Sequence, residues 1–143
     1  MVPSGEAHEL LVGQELVVES RPSQPPSWVV FEDDGQTGYL YALDTRRGGD
    51  SPIFDALHIY NADDIDDPDR VHRLEFVWSD DERAVALLIN GNAHAMVDFA
   101  EPRLMCMTAF PPPDAASPVD THEWDAAAFA RRFPELGGGR DPA

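Results

Sequence analysis

The feature that most constrains the fold is the dipeptide Asn90-Gly91, which separates two apolar stretches. A two-residue type I′ turn needs positive φ at both central positions, and asparagine followed by glycine adopts that conformation most readily. Residues 83–89 and 93–99 are therefore predicted to be the two strands of a β-hairpin.

A third strand is predicted just before this hairpin. Within residues 73–78 the bulky residues recur at every second position, which is the period of a strand, and the turn-forming residues 79–82 end the run. Pairing the three strands places bulky side chains on one face and alanines on the other. We expect a helix or a second layer to cover the alanine face, because small residues permit close approach.

The remaining chain adds more strands and one helix. Alternation of apolar residues predicts further strands at 10–12, 15–20, 28–31, 37–43, 55–60 and 104–109. Residues 124–133 are predicted to be a helix, with Asp120 as its N-cap and Glu123 completing a capping-box-like pair. The expected fold is α+β: a mainly antiparallel sheet meander of about seven or eight strands with one C-terminal helix. The 143 residues are expected to form a single domain, with flexible tails predicted at 1–9 and 137–143.

The charge of the chain excludes some classes of partner. Ten basic residues, all of them arginine, stand against 27 acidic ones, and the formal net charge is -17. Nucleic acids and anionic membranes bind clusters of positive charge, so neither is an expected partner. A basic protein partner, cations or plain solubility remain as explanations of the negative charge. A GC-rich genome or a salt-adapted proteome would give a similar acidic, lysine-poor composition with no partner at all.

The sequence also favours a cytoplasmic location. No apolar run approaches the length that a membrane-spanning helix needs, and the N-terminal residues lack the pattern of a signal peptide. The single cysteine, Cys106, has no partner for an internal disulfide, which fits a reducing compartment.

Three acidic turns are the first candidate site. If two of them lie at the same end of the sheet, they form a negative patch that speeds the capture of a basic protein, with a tyrosine beside them as an anchor. Ordinary solvated turns would look the same, and the longest acidic segment lacks the spacing of a calcium loop. The predicted binding residues are Asp33, Asp34, Asp63, Asp64, Asp66, Asp67, Asp80, Asp81, Tyr39 and Tyr41.

A pocket on the bulky face is the alternative site. In the predicted register His94, Met96 and Asp98 share that face, where a histidine and a carboxylate could support acid–base chemistry or bind a small molecule. A core histidine and an edge carboxylate would give the same pattern. Cys106 lies between two methionines, which favours inert packing over nucleophilic chemistry. No motif for a metal, phosphate or nucleotide is present, so no cofactor is predicted and catalysis is not expected.

Two blocks, residues 29–42 and 55–61, together with the hairpin core at 87–91, resemble a small bacterial family of unknown function. The resemblance implies a shared sheet fold for most of residues 15–110, and it brings no established activity. Small acidic bacterial domains of this kind are suspected immunity proteins for secreted toxins. By that analogy, the chain would be an immunity-type inhibitor of a basic effector.

Overall fold

The computed structural model describes residues 5–46, 51–67, 69–115 and 117–139. These residues form nine antiparallel strands in two sheets, followed by one α-helix, α1. The five-stranded sheet has the order β1-β6-β7-β8-β9, and the four-stranded sheet has the order β2-β3-β4-β5. The strands and the helix are β1 Gly5–Leu10, β2 Leu16–Ser20, β3 Ser27–Asp33, β4 Thr37–Asp44, β5 Ile53–Asn61, β6 His72–Trp78, β7 Ala84–Ile89, β8 Asn92–Asp98, β9 Arg103–Cys106 and α1 Ala126–Arg132. The predicted fold, mainly antiparallel sheet with one C-terminal helix, is confirmed, with nine strands in two sheets where seven or eight strands were expected.

The main core lies between the two sheets. Each sheet buries alternate side chains against the other, with Phe31 and Leu57 from one side meeting Phe76 and Leu87 from the other. A buried hydrogen bond also crosses the gap, because the indole N–H of Trp78 donates to Oγ of Ser20 at 2.9 Å.

Helix α1 covers the opposite face of the five-stranded sheet. Ala84, Ala86 and Ala93 leave room for the buried rings of Phe129 and Phe133, as the alanine-lined face predicted. Strand β7 is buried along its whole length because it is covered on both sides. No helix in the described part of the chain is long and apolar enough to cross a membrane.

The predicted hairpin is confirmed, with φ of 53° at Asn90 and 84° at Gly91. The pairing of β6 with β7 differs from the expected one by two residues, because Trp78 lies opposite Val85 and not opposite Arg83. A shift of two residues keeps every side chain on its predicted face.

Ala93 at the start of β8 faces the helix as predicted, but the predicted faces of the rest of β8 are wrong because of a β-bulge. Leu88 pairs with Ala93 and Leu87 with Ala95, so His94 is an extra residue in the ladder. Beyond the bulge, Ala95 and Val97 face the core between the sheets and Met96 faces the helix. Met96 therefore lies on the opposite face from the one predicted.

Both ends of the chain also differ from expectation. Residues 5–9, predicted to belong to a flexible tail, pair with β6 together with Leu10 as strand β1. The helix begins at Ala126 and not at 124, and its N-cap is Asp125, whose side chain accepts from the N–H of Ala128 at 3.0 Å. Asp120 lies too far upstream to cap it. Residues 134–139 form a 3-10 segment, and 1–4 and 140–143 lie outside the described residues.

Gly38 is required where β4 passes under an aromatic ring. A Cβ at this position would lie 2.7 Å from Cζ of Tyr60, closer than real Cβ contacts come. The ring of Tyr60 thus packs flat on the glycine backbone, and its hydroxyl reaches Asp33 at 2.6 Å.

We expect Gly38→Ala to lower the free energy of unfolding by about 1–3 kcal/mol, because the added methyl group displaces the ring. Urea denaturation measures the change. The double variant Gly38→Ala/Tyr60→Leu should lose less free energy of unfolding than the sum of the losses of the two single variants, since removing the ring removes the clash. Additive losses, or a Gly38→Ala variant as stable as the wild type, would show that the ring does not require a glycine beneath it.

Candidate functional site

Two of the three acidic turns lie at the same end of the molecule. The backbone N–H of Ala62 donates to the carbonyl of Gln36 at 2.7 Å, which joins the β3–β4 turn to the acidic connection after β5. Their carboxylates are exposed to solvent, unlike that of Asp33. We call this group the acidic end: Asp34, Asp63, Asp64, Asp66 and Asp67.

Asp33 is buried beneath the acidic end. Its Oδ2 accepts from the N–H of Gly13 at 2.8 Å and from the hydroxyl of Tyr60 at 2.6 Å, and its Oδ1 accepts from the N–H of Gly35 at 2.8 Å. Burial raises the pKa of Tyr60 far above its usual range, and Asp33 adds to the shift. One carboxylate therefore holds the β1–β2 turn, the β3–β4 turn and β5 together.

Asp34 is exposed and keeps its charge. Its Oδ1 accepts from the N–H groups of Thr37 and Gln36, each at 2.9 Å, and these bonds lower the pKa of Asp34 below its usual value. Among the described residues, no three His, Cys, Asp or Glu side chains come together as a metal site would need.

Asp80 and Asp81 lie at the opposite end. Their β6–β7 turn contacts the β2–β3 connection, where the N–H of Ser23 donates to Glu82 at 2.8 Å. Asp81 accepts from Nη2 of Arg132 at 3.0 Å. Burial alone would raise the pKa of Asp81, but hydrogen bonds from Ser79, the Arg83 backbone and Arg132 lower it overall. Asp81 thus anchors α1 to the sheet, and the third acidic turn is separate from the acidic end.

Tyr39 and Tyr41 lie beside the acidic end, on the outer face of the four-stranded sheet. Their rings stack at 6.1 Å with an interplanar angle of 17°. Tyr39 is two residues from the start of β4, about 7 Å along the strand from the acidic turn. The cross-strand neighbours of Tyr39 extend into a line, the outer row, which consists of Val17, Glu32, Tyr39, His58 and Phe110.

His58 holds Phe110 at one end of the outer row. The N–H of His58 donates to the carbonyl of Phe110 at 2.8 Å, and the hydroxyl of Thr108 donates to the carbonyl of His58 at 2.8 Å. The rings of Phe110 and Tyr39 both meet the imidazole edge to face, at 5.8 and 5.5 Å. Segment 107–122, which follows β9, thereby brings an exposed phenylalanine onto this sheet.

A buried histidine fastens the same segment. The side chain of His122 is fully buried, with Nε2 2.8 Å from Oδ2 of Asp55 and Nδ1 2.6 Å from the carbonyl of Pro111. Both partners are acceptors, so the doubly protonated ring satisfies both contacts. Burial lowers the pKa of His122, but the hydrogen bond and charge of Asp55, aided by Pro111, outweigh it and raise the pKa above 6.5. Ser117 also donates to Oδ2 of Asp55, at 2.6 Å.

The alternative pocket residues do not share one cleft. Met96 is fully buried under the helix, and Asp98 is buried with Oδ2 3.1 Å from Nε of Arg132. His94 is half-buried in the bulge. Four clefts in the described part of the chain, the largest about 600 Å³, are lined by other residues. Cys106 is buried, and its thiol lies 3.5 Å from the carbonyl of Phe110.

Sequence reasoning missed most of the outer row and the histidine contact. Period-2 alternation in β3 could have placed Glu32 beside Tyr39, because a turn centred on Gly35-Gln36 fixes that register. Phe110 and His122 carried no such signal. Their positions depend on hydrogen bonds to β5, which is about 50 residues or more away in the chain.

The comparisons with known proteins agree with a bacterial family of unknown function. A family model described as "Uncharacterized protein conserved in bacteria (DUF2251)" matches residues 10–133. An "Uncharacterized protein" of Haemophilus influenzae is 44% identical over 89 residues, which cover 62% of this chain and 55% of that protein. The chain thus spans about half the length of this curated relative. No solved structure matches the chain.

We expect Asp33→Asn to lower the free energy of unfolding by about 1–3 kcal/mol, because an amide can accept at only one of its two ends and leaves a buried donor unpaired. The matched control Asp80→Asn, at an exposed acidic turn, should change it by less than about 0.5 kcal/mol. Thermal or urea unfolding at neutral pH distinguishes the two. Equal effects at both positions would show that Asp33 does not hold the two turns and β5 together.

The contact of His122 with Asp55 predicts a pH dependence of stability. Because folding raises the pKa of His122, its stabilisation is complete below the ordinary value of 6.5 and is lost as the pH rises through the raised value. The difference in unfolding free energy between the wild type and His122→Gln should therefore be constant below pH 6.5 and shrink as the pH rises above it, through the raised pKa of His122. Substituting Asp55→Asn should likewise remove the pH-dependent contribution of His122 to the free energy of unfolding. Parallel stability curves for wild type and His122→Gln would refute the prediction.

Proposed function

This chain belongs to the DUF2251 family of uncharacterised bacterial proteins, and we propose that it is a non-enzymatic module that captures a basic protein with its acidic end. The observation that carries the proposal is the joining of two acidic turns at one end of a rigid sheet by the hydrogen bond between Ala62 and Gln36.

The electrostatics of the acidic end support this role. None of the ion pairs formed among the described residues involves its five carboxylates. Their charges therefore add to the field of a chain with net charge -17. Such a concentrated field accelerates encounter with a positively charged protein and makes association depend strongly on ionic strength.

In its specific form, the proposal is an immunity-type inhibitor that acts in the cytoplasm and blocks a basic effector by occupying it. Inhibition of this kind needs tight binding and no turnover. A small-molecule or enzymatic role at His94 and Asp98 is the weaker alternative, because Asp98 is already engaged by Arg132.

The test is capture of a partner from extract of the native cells with tagged protein, followed by calorimetry with that partner purified. We expect a basic protein that binds at low ionic strength (about 0.03 M) and weakens steeply toward about 0.5 M salt. Changing Asp63, Asp64, Asp66 and Asp67 together to asparagine should weaken binding by at least about tenfold.

The matched control removes the same number of charges from exposed sites elsewhere, with Asp80→Asn, Glu101→Gln, Glu123→Gln and Glu135→Gln. This variant should bind within about threefold of the wild type, because overall charge changes equally but the acidic end is intact. Equal weakening by both variants, a partner that is not basic, or no partner at all would overturn the proposal.

A further inference from the structure

No described helix or strand covers the outer face of the four-stranded sheet, although Phe110 of segment 107–122 packs on His58 at its β5 edge. The five-stranded sheet has its own outer face buried by Phe129 and Phe133 of α1, whereas the four-stranded sheet presents Tyr39 and Tyr41 toward solvent, both only half-buried. The two sheets therefore differ: one has a helical layer and the other has none among the described residues.

This face carries exposed apolar side chains that the core does not use. Val17 is 65% exposed, Phe110 52% and Ile53 46%, and the strand pairing puts Val17 and Ile53 on the same side as Tyr39 and Tyr41. Single exposed apolar residues are common on protein surfaces, but three on one sheet face around two half-buried tyrosines are typical of an interaction site. Across four strands the outer row is roughly 14 Å long before Phe110 is added.

The row is also rigid, which favours binding. Tyr39 is fixed between the stacked ring of Tyr41 and the imidazole of His58, and the hydroxyl of Tyr41 donates to Glu32 at 3.2 Å. Side chains that are already ordered lose little conformational entropy when a partner binds. Aromatic residues held in this way are typical anchors of protein interfaces.

Charge decides which partner fits the row. Glu32 lies on the face itself and the acidic end borders it, while Glu19 on the same face is paired with Arg21 at 3.1 Å. A second copy of the chain would bring the same charge of -17, and an anionic membrane would also be repelled. We propose that the outer row is the docking surface for the basic protein that the acidic end attracts, and that this protein presents apolar side chains flanked by lysine or arginine.

This inference rests on the proposed function, and the salt dependence of binding separates the two. With the captured partner, Phe110→Ser and Val17→Ser should each weaken binding by about tenfold at every salt concentration, because apolar contacts are not screened. The acidic-end variant should instead reduce the slope of affinity against salt. Both apolar positions are exposed, so folding should be unaffected and is checked by circular dichroism.

Photo-crosslinking gives a second readout that does not depend on affinity. The crosslinking residue p-benzoylphenylalanine is placed at position 17, 66 or 127, where Ala127 lies exposed on α1 as the control. Crosslinks to the partner from 17 and 66 but not from 127 support the inference. Crosslinks from 66 alone would overturn the docking surface and leave the acidic end intact. Crosslinks from 127 alone would overturn both.

Discussion

The buried carboxylate of Asp33 is the interaction on which the organisation of this end of the molecule depends. It accepts hydrogen bonds from Gly13, Gly35 and Tyr60, which belong to three separate segments of the chain. Because an ion this deep is costly to desolvate, it is stable only while all three donors are in place. The turn geometry that exposes Asp34, and the position of Tyr60 over Gly38, follow from that requirement. The exposed position of Asp34 in the acidic end thus depends on the buried carboxylate of Asp33.

The fold could be predicted wherever local chemistry determines structure. Asn90-Gly91 forms the expected turn because positive φ at both residues is a local property. The two-residue error between β6 and β7 was harmless, since side chains alternate with a period of two. The bulge at His94 was not predictable, because one extra residue in a ladder leaves no trace in the alternation of Ala93, Ala95 and Val97. That single residue moved Met96 to the helix side.

The candidate site was predictable in residue type and not in environment. Asp33 and Asp34 are adjacent and identical in residue type, yet the first is 1% exposed and the second faces solvent. The alternation of side chains along β3 distinguishes the two residues only once it is known which face of the strand points into the core. Tyr39 and Tyr41 share one face of β4, as the alternation of side chains along residues 37–43 predicts. Phe110 joins them through hydrogen bonds of segment 107–122 to β5, and contacts over such separations have no local signature.

Segment 107–122 has one more consequence, for the edges of the sheets. It takes up the N–H and C=O of His58 on β5, and the carbonyl of His122 receives the N–H of Cys106 on β9. Unpaired groups along an outermost strand are templates on which a foreign chain can add a strand. By occupying such groups on both sheets, this irregular stretch shields a highly β-structured chain from polymerising through these two strands. The segment that exposes Phe110 on the four-stranded sheet thus also covers backbone groups at the edges of both sheets.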